Sequence, residues 1–363
     1  MLKEDRSLQA LAGAFSASIL LSIISLVYVA FLAYGIPGYC KDAESRMMSE
    51  FFEDMKTLSA KMKDVVSTGL SAGVNVKEEY PYPIIPFFIT PKSAMVSSGT
   101  YDLTITIENI KSPEVSIPST LTFKGKGVWA TLNLIYTPPV SVYLESGLVF
   151  TDKIHLDGSI LTGKNIFLPM FTGDSVSSHL SPSSGGGRAI TVQNNLNSNI
   201  TIKIIGSKVP ENAWLSYSKI SGLRVDYDMG NVTIHIPPGQ YALKAGLASF
   251  ISKPETPPPA YLLSEVSTSQ RSPAAISVRV LDEFLNPSVG TVRVFCLEPC
   301  TIQYIDCSVN QCTSRSATND ATLPSASLIS AVVDATHAGI TTVGTELNRP
   351  TGSPYQLAFL LVE

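Results

Sequence analysis

The sequence predicts a mainly β protein that follows an N-terminal transmembrane and stalk α-helix, with two successive β-sandwich-like bodies. Three observations carry that prediction. A long uncharged stretch opens the chain, period-two alternation replaces helical periodicity after residue 73, and a proline cluster near residue 257 splits the β region.

The anchor comes first. Between Arg6 and Lys41 lie 34 residues without a charged side chain, and the stretch from Leu11 to Ala33 is strongly apolar. A hydrocarbon core about 30 Å thick takes about 20 apolar residues in helical rise, whereas a removable signal needs an apolar run of about 7 to 15. Length therefore favours a permanent anchor over residues 1–40, a cytoplasmic stub and a bilayer-spanning helix. Ala30-Phe31-Leu32-Ala33 also reads as a small-residue cleavage pattern. Gly35-Ile36-Pro37-Gly38 is expected to break or kink the helix where it leaves the membrane.

Residues 41–73 follow as an amphipathic stalk. Met47, Phe51, Met55, Leu58, Met62 and Val65 recur at helical steps, with Glu50, Asp54, Lys61 and Asp64 on other faces. The stripe suits a helix packed on its own domain, and its near-heptad spacing also suits a stalk that packs against copies of itself. Gly69 and Gly73 mark its end.

Over 74–252, Tyr101, Leu103, Ile105 and Ile107 alternate with polar neighbours, and 140–144, 200–205 and 232–236 are similar. Turn-forming clusters separate these runs, so a β-sandwich-like ectodomain is expected. Ser183 to Gly187 reads as a mobile loop tip. Pro254 and Pro257 to Pro259 place a stiff extended linker over 253–272. Alternation resumes at Ile276, Val278 and Val280 and runs to a last strand at Leu357 to Val362, making 273–363 a separate small β domain.

Net charge is −4, with no clustered Lys and Arg, which argues against a nucleic-acid partner. Flanking basic residues leave the orientation of the anchor undecided. Cysteine placement points instead: Cys296, Cys300, Cys307 and Cys312 crowd into 17 residues of a β domain, as expected of disulfides in an oxidising compartment. Their C-x3-C-x6-C-x4-C spacing lacks the paired C-x2-C knuckles of zinc sites, and three pairings are open. Cys40 is left over, either a buried thiol or a point of intermolecular bridging or lipid attachment. Asn199 and Asn231 open glycosylation sequons beside strand patterns. The C-terminal part is therefore expected outside the cell.

Catalytic signals are weak. His155, His179, His235 and His337 are scattered without ligand spacing, and Ser216-Tyr-Ser-Lys219 matches S-x-x-K without its partner motifs. Asp226-Tyr-Asp228-Met-Gly230-Asn231 has the composition of a calcium loop but the wrong order, and a hairpin turn accounts for it better. No enzyme, metal or cofactor is expected. Trp129 and Trp214 read as core residues.

Three stretches carry a family resemblance. Ser146-Gly147-Leu148-Val149-Phe150 with Gly158 and Gly173, and Ile236-Pro-Pro-Gly-Gln-Tyr241-Ala-Leu243, resemble segments of large archaeal proteins with a pilin-like amino-terminal helix. Val278 to Val292, with Asp282, Asn286, Pro287 and Gly290, is similar to the opening of immunoglobulin-like (Ig-like) domains of the invasin and intimin type. In that motif the Asp, Asn-Pro and Gly mark a first hairpin between buried strands, with the Gly relieving the backbone. Where archaeal prepilins have Gly or Ala after a basic residue, Arg6 precedes Ser7. The resemblance implies a membrane-anchored surface protein of structural or adhesive role, alone or in a pilus-like assembly. Its partners would be the lipid bilayer, copies of itself through the N-terminal helix, and an extracellular protein or glycan. A tethered module that captures a solute, glycan or protein is the alternative.

Overall fold

One helical rod opens the chain: α1 spans Leu2–Ala30, a π-helical turn spans Phe31–Gly35, and α2 spans Ile36–Thr68. The computed structural model describes residues 2–84, 92–195, 198–251, 254–264, 270–308, 311–326, 328–335, 339–347 and 355–362, with side-chain surroundings for 13–84, 92–195, 198–251, 254–263, 272–306, 312–326, 328–335 and 342–347. The break expected at Gly35–Gly38 does not occur. Pro37 has no N–H for an intrahelical bond, and the widened turn lets the Ile36 N–H reach the Phe31 carbonyl across five residues. A Cβ on Gly35 would sit 2.7 Å from the Phe31 ring, so any other residue there would push that ring aside.

From residue 13 to residue 34 the rod is uncharged and exposed on every face. Phe15, Leu21 and Leu26 are 71, 69 and 72 % exposed, and an 18-residue window reaches a mean hydropathy of 2.4. Such a helix is long and apolar enough to cross a bilayer. Further along, the stripe is buried: Met55, Leu58, Met62 and Val65 are each at most 4 % exposed. Of the two packings open to the stripe over 41–73, burial at these positions fits the helix packed on its own domain, because the apolar face is already covered by its own chain. Gly69, at φ +71°, ends it by donating its N–H to the Val65 carbonyl at 2.9 Å.

The chain divides into two compact units. Residues 1–53, 77–97 and 131–140 form one, and residues 54–76, 98–130 and 141–363 the other. In the first, Glu79–Pro81 pairs antiparallel with residues 93–95, and Tyr80 meets Phe51 edge-on at 6.3 Å. Both rings are buried.

The second unit holds both β bodies. Its large sheet runs in the order Ala72–Gly73, His179–Ser184, Gln240–Ser249, Asn165–Thr172, 120–130, 98–108, Ile200–Ile205, Asn231–Ile236 and Arg224–Asp228. The pairing of Asn165–Thr172 with Gln240–Ser249 is parallel, and the helix α3, Glu211–Ser221, drops Trp214 and Tyr217 onto Phe150 in the core. Trp129 is half-buried against that core.

Two further sheets form the C-terminal sandwich. One orders Pro259–Ser264, Ala274–Asp282, Leu328–Ala335, Cys300–Ser308 and Gln311–Thr318; the other orders Gln270–Arg271, Tyr355–Val362, Gly339–Leu347, Gly290–Cys296 and Asp320–Ala326. The linker assigned to 253–272 needs correction, since Pro259–Ser264 is a strand of this sandwich. Its side chains alternate between two interiors: Leu262 enters the sandwich core and Leu263 the core of the larger body. The body expected over 273–363 therefore has its own core but begins earlier, at Pro259.

Leu58→Ala should cost about 2–5 kcal/mol in denaturant unfolding of the detergent-solubilised chain, as for a buried leucine, whereas Lys61→Ala on the exposed face should stay within about 0.5 kcal/mol. Equal effects would contradict the docking of α2.

Candidate functional site

The most strongly constructed site joins the two β bodies within the second unit. Residues 282–286 lie between two strands that belong to opposite sheets of the sandwich, so the expected hairpin is in fact a crossover. The Asp282 carboxylate closes it by accepting from the N–H groups of Phe284 at 2.9 Å and Asn286 at 3.0 Å. Leu285 takes the left-handed conformation, φ 66°, held by its N–H bond to the Asp282 carbonyl and by burial of its side chain. Gly290 has no such backbone need. A Cβ there would meet Val280 at 3.0 Å and Leu347 at 3.1 Å, so it serves close sheet packing.

This crossover inserts into the larger body. Leu281, Phe284 and Leu285 belong to that body's core, and Phe284 stacks on Phe123 at 5.4 Å. Around the apolar plug, Asn286 donates to the Ala245 carbonyl at 2.7 Å and to Ser184 Oγ at 2.8 Å, while its Oδ1 accepts the Gly187 N–H at 3.3 Å. Ser184 Oγ in turn donates to Asp282 Oδ2 at 2.6 Å. Asp282 and Asn286 are 3 and 1 % exposed. Burial pushes the Asp282 carboxyl up to about 6, against the lowering effect of its donors.

The small residues at 183–187 make this approach possible. They are not a mobile tip: Ser183 and Ser184 are buried, and Gly186 donates to the Val66 carbonyl at 2.9 Å. On the adjoining strand, a Cβ on Gly246 would meet the Ser184 carbonyl at 2.5 Å and Val66 at 2.6 Å. The end of α2, the large sheet and the sandwich thus share one buried network.

A second polar clasp lies in the first unit. The fully buried Glu44 accepts from the N–H groups of Ile135 at 2.8 Å and Tyr136 at 2.9 Å, from Thr137 Oγ1 at 2.7 Å and from the Tyr82 hydroxyl. Burial alone raises its carboxyl, but these donors outweigh it and hold the group below its ordinary value. Cys40 is buried one turn away against Tyr136 with its thiol pushed up by burial, so the surface roles of bridging or lipid attachment do not fit it. A third buried acid, Glu145, takes Tyr101 and Ser207 hydroxyls at 2.5 and 3.0 Å, and Ser207 also receives the Trp214 indole N–H at 3.1 Å.

The remaining candidates lie apart. Cys296 and Cys300 are bonded to each other and tie the two sheets of the sandwich at their crossover. Cys312 is disulfide-bonded as well, and its register partner across the hairpin is Cys307, whose side chain lies outside the described ones. Asn199 and Asn231 are both exposed. Asp226 pairs with Arg224 and with His235, the latter at 2.8 Å, and Met229 and Gly230 turn a tight hairpin. Ser216 accepts the His155 N–H at 3.4 Å on α3, while Lys219 is exposed.

Glu44 and Glu145 escaped the sequence reading. The signal available was an acid interrupting an apolar run, as in Val142, Leu144, Glu145 and Leu148, all buried here. Asp282 and Asn286 were found as motif residues, but for turn chemistry rather than for joining bodies.

No family model and no curated protein matches this chain. Among solved structures, the crystal structure of domains 4 and 5 of the S-layer protein SbsC aligns with 47 % of this chain and 67 % of that one, at 14 % identity and a TM-score of 0.21.

Because the folded Asp282 value of about 6 lies above the ordinary 3.8, its protonated form is favoured by folding. Its contribution to stability is full below about pH 4 and is lost as pH rises through 6, by about 3 kcal/mol in all. Asp282→Asn should flatten that segment of the stability–pH curve in denaturant titrations at pH 4.5 and 7. An unchanged slope would place the ionisation elsewhere.

Proposed function

We propose that this chain is a single-pass membrane-anchored surface protein whose β bodies lie outside the cell and whose role is structural or adhesive, not catalytic. One observation carries the reading: a single uninterrupted helix is bare and apolar at its start and core-packed at its end. Lipid satisfies the first part, and the chain's own sheets satisfy the second.

Supporting features agree. Disulfide bonding at Cys296, Cys300 and Cys312 suits an oxidising compartment, and the exposed Asn199 and Asn231 suit glycosylation there. The buried network at Asp282 and Asn286 resists separation of the two β bodies, a property useful in a protein that bears load. Resemblance to archaeal proteins with pilin-like anchors and to invasin-type Ig-like domains points to an archaeal-type envelope. Self-association of the helix, as in a pilus-like assembly, would use its apolar first half, since the stripe from Met47 to Val65 is already occupied.

Membranes from expressing cells, washed in alkaline carbonate, should retain the chain, and protease added to intact cells should remove its β bodies. Release by carbonate, or digestion only after lysis, would refute the reading.

A further inference from the structure

A pocket of about 320 Å³ opens where α2, the hairpin from Leu161 to Ile166 and the strand Gln240–Ser249 meet, all within the second unit. Lys63 and Lys244 both line it. Two like charges sharing one concavity repel each other, and among the described residues neither ammonium has a carboxylate within ion-pair distance. Lys244 donates to the Ser67 carbonyl at 3.0 Å, which leaves two of its N–H groups uncommitted. Lys63 feels Asp157 only through space, and burial pushes both ammoniums down.

The lysines are placed rather than trailing into solvent. Both are half-buried, and the Lys63 stem lies against Gly147, where an added Cβ would meet Lys63 Cε at 2.7 Å. Phe167 gives the pocket an apolar wall, and Thr162 and Asn165 add a hydroxyl and an amide at its rim. The volume falls at the small end of the range for ligand sites, about 300–1,000 Å³, and holds more than a bare ion.

We propose that this pocket binds an oxyanion group, whether carboxylate, sulfate or phosphate, presented by a small solute or a sugar residue. The two ammoniums neutralise the charge, Phe167 packs on the apolar face of the carrier, and the rim groups take its hydroxyls. The site stands whether or not the chain is anchored as proposed above, because every group in it belongs to the folded β unit and the helix docked on it.

Calorimetric titration of the full chain in non-ionic detergent, at low salt, tests this with inorganic sulfate and D-glucuronate, and with D-glucose as the neutral control. Both anions should bind, compete with each other and weaken as salt is raised, while glucose gives no heat. Glucuronate tighter than sulfate assigns the site to an acidic sugar; equal affinity assigns it to the free oxyanion. Lys63→Gln and Lys244→Gln should each weaken binding about tenfold. Asp157→Asn should tighten it by roughly twofold to threefold by removing an opposing charge, a gain that a misfolded variant would not give. Absence of binding by both anions overturns the proposal, as does binding that survives in the doubly substituted chain.

Discussion

Burial of Leu58, Met62 and Val65 turns the far end of an apolar rod into part of the second unit's interior, and that unit's buried network begins at the last turns of the helix. Each such side chain, fully covered, contributes about 1.5–3 kcal/mol. Because the π turn at Phe31–Gly35 carries the helix past Pro37 without a break, the segment suited to lipid and the segment suited to the core are one element. At that turn the Ile36 N–H reaches the Phe31 carbonyl.

The end of α2 also reaches the network that unites the two β bodies. Val66 contacts the glycines at 185 and 186, which follow the strand that presents Ser184 to Asp282 and Asn286. Asp282 and Asn286 together satisfy backbone groups on both sides of the joint, and Phe284 fills the space between them. Removing one partner from such a buried set leaves the others without hydrogen bonds in a low-dielectric setting, which is costly. The large body and the sandwich are therefore coupled by specific groups, with Leu262 and Leu263 on neighbouring positions of one strand serving separate cores.

Much of this was legible in the residues. The uncharged opening stretch, the alternation at Tyr101 to Ile107 and the strands flanking Met229-Gly230 declare themselves by period and turn chemistry. What periodicity does not specify is the partner of an apolar face. The steps from Met47 to Val65 read the same whether the stripe meets another copy or the chain's own sheet. Composition misled at two places. Ser183 to Gly187 has the make-up of a loose loop, yet its small residues are there so that backbones can approach. Pro257 to Pro259 has the make-up of a spacer, yet Pro259 begins a paired strand. Glu44 and Glu145 were invisible because their donors come from segments distant in sequence, 91 residues away for the Ile135 N–H on Glu44 and 62 for Ser207 on Glu145.

The central claim is that one helix is lipid-embedded at its start and core-packed at its end without interruption. Hydrogen–deuterium exchange of the full chain in lipid nanodiscs measures this directly, peptide by peptide. The account predicts slow exchange running from residue 13 through the π turn to residue 68, with the last turns as protected as the central strands. Rapid exchange across Met47 to Val65 while the strands stay protected would show a free stalk and contradict it.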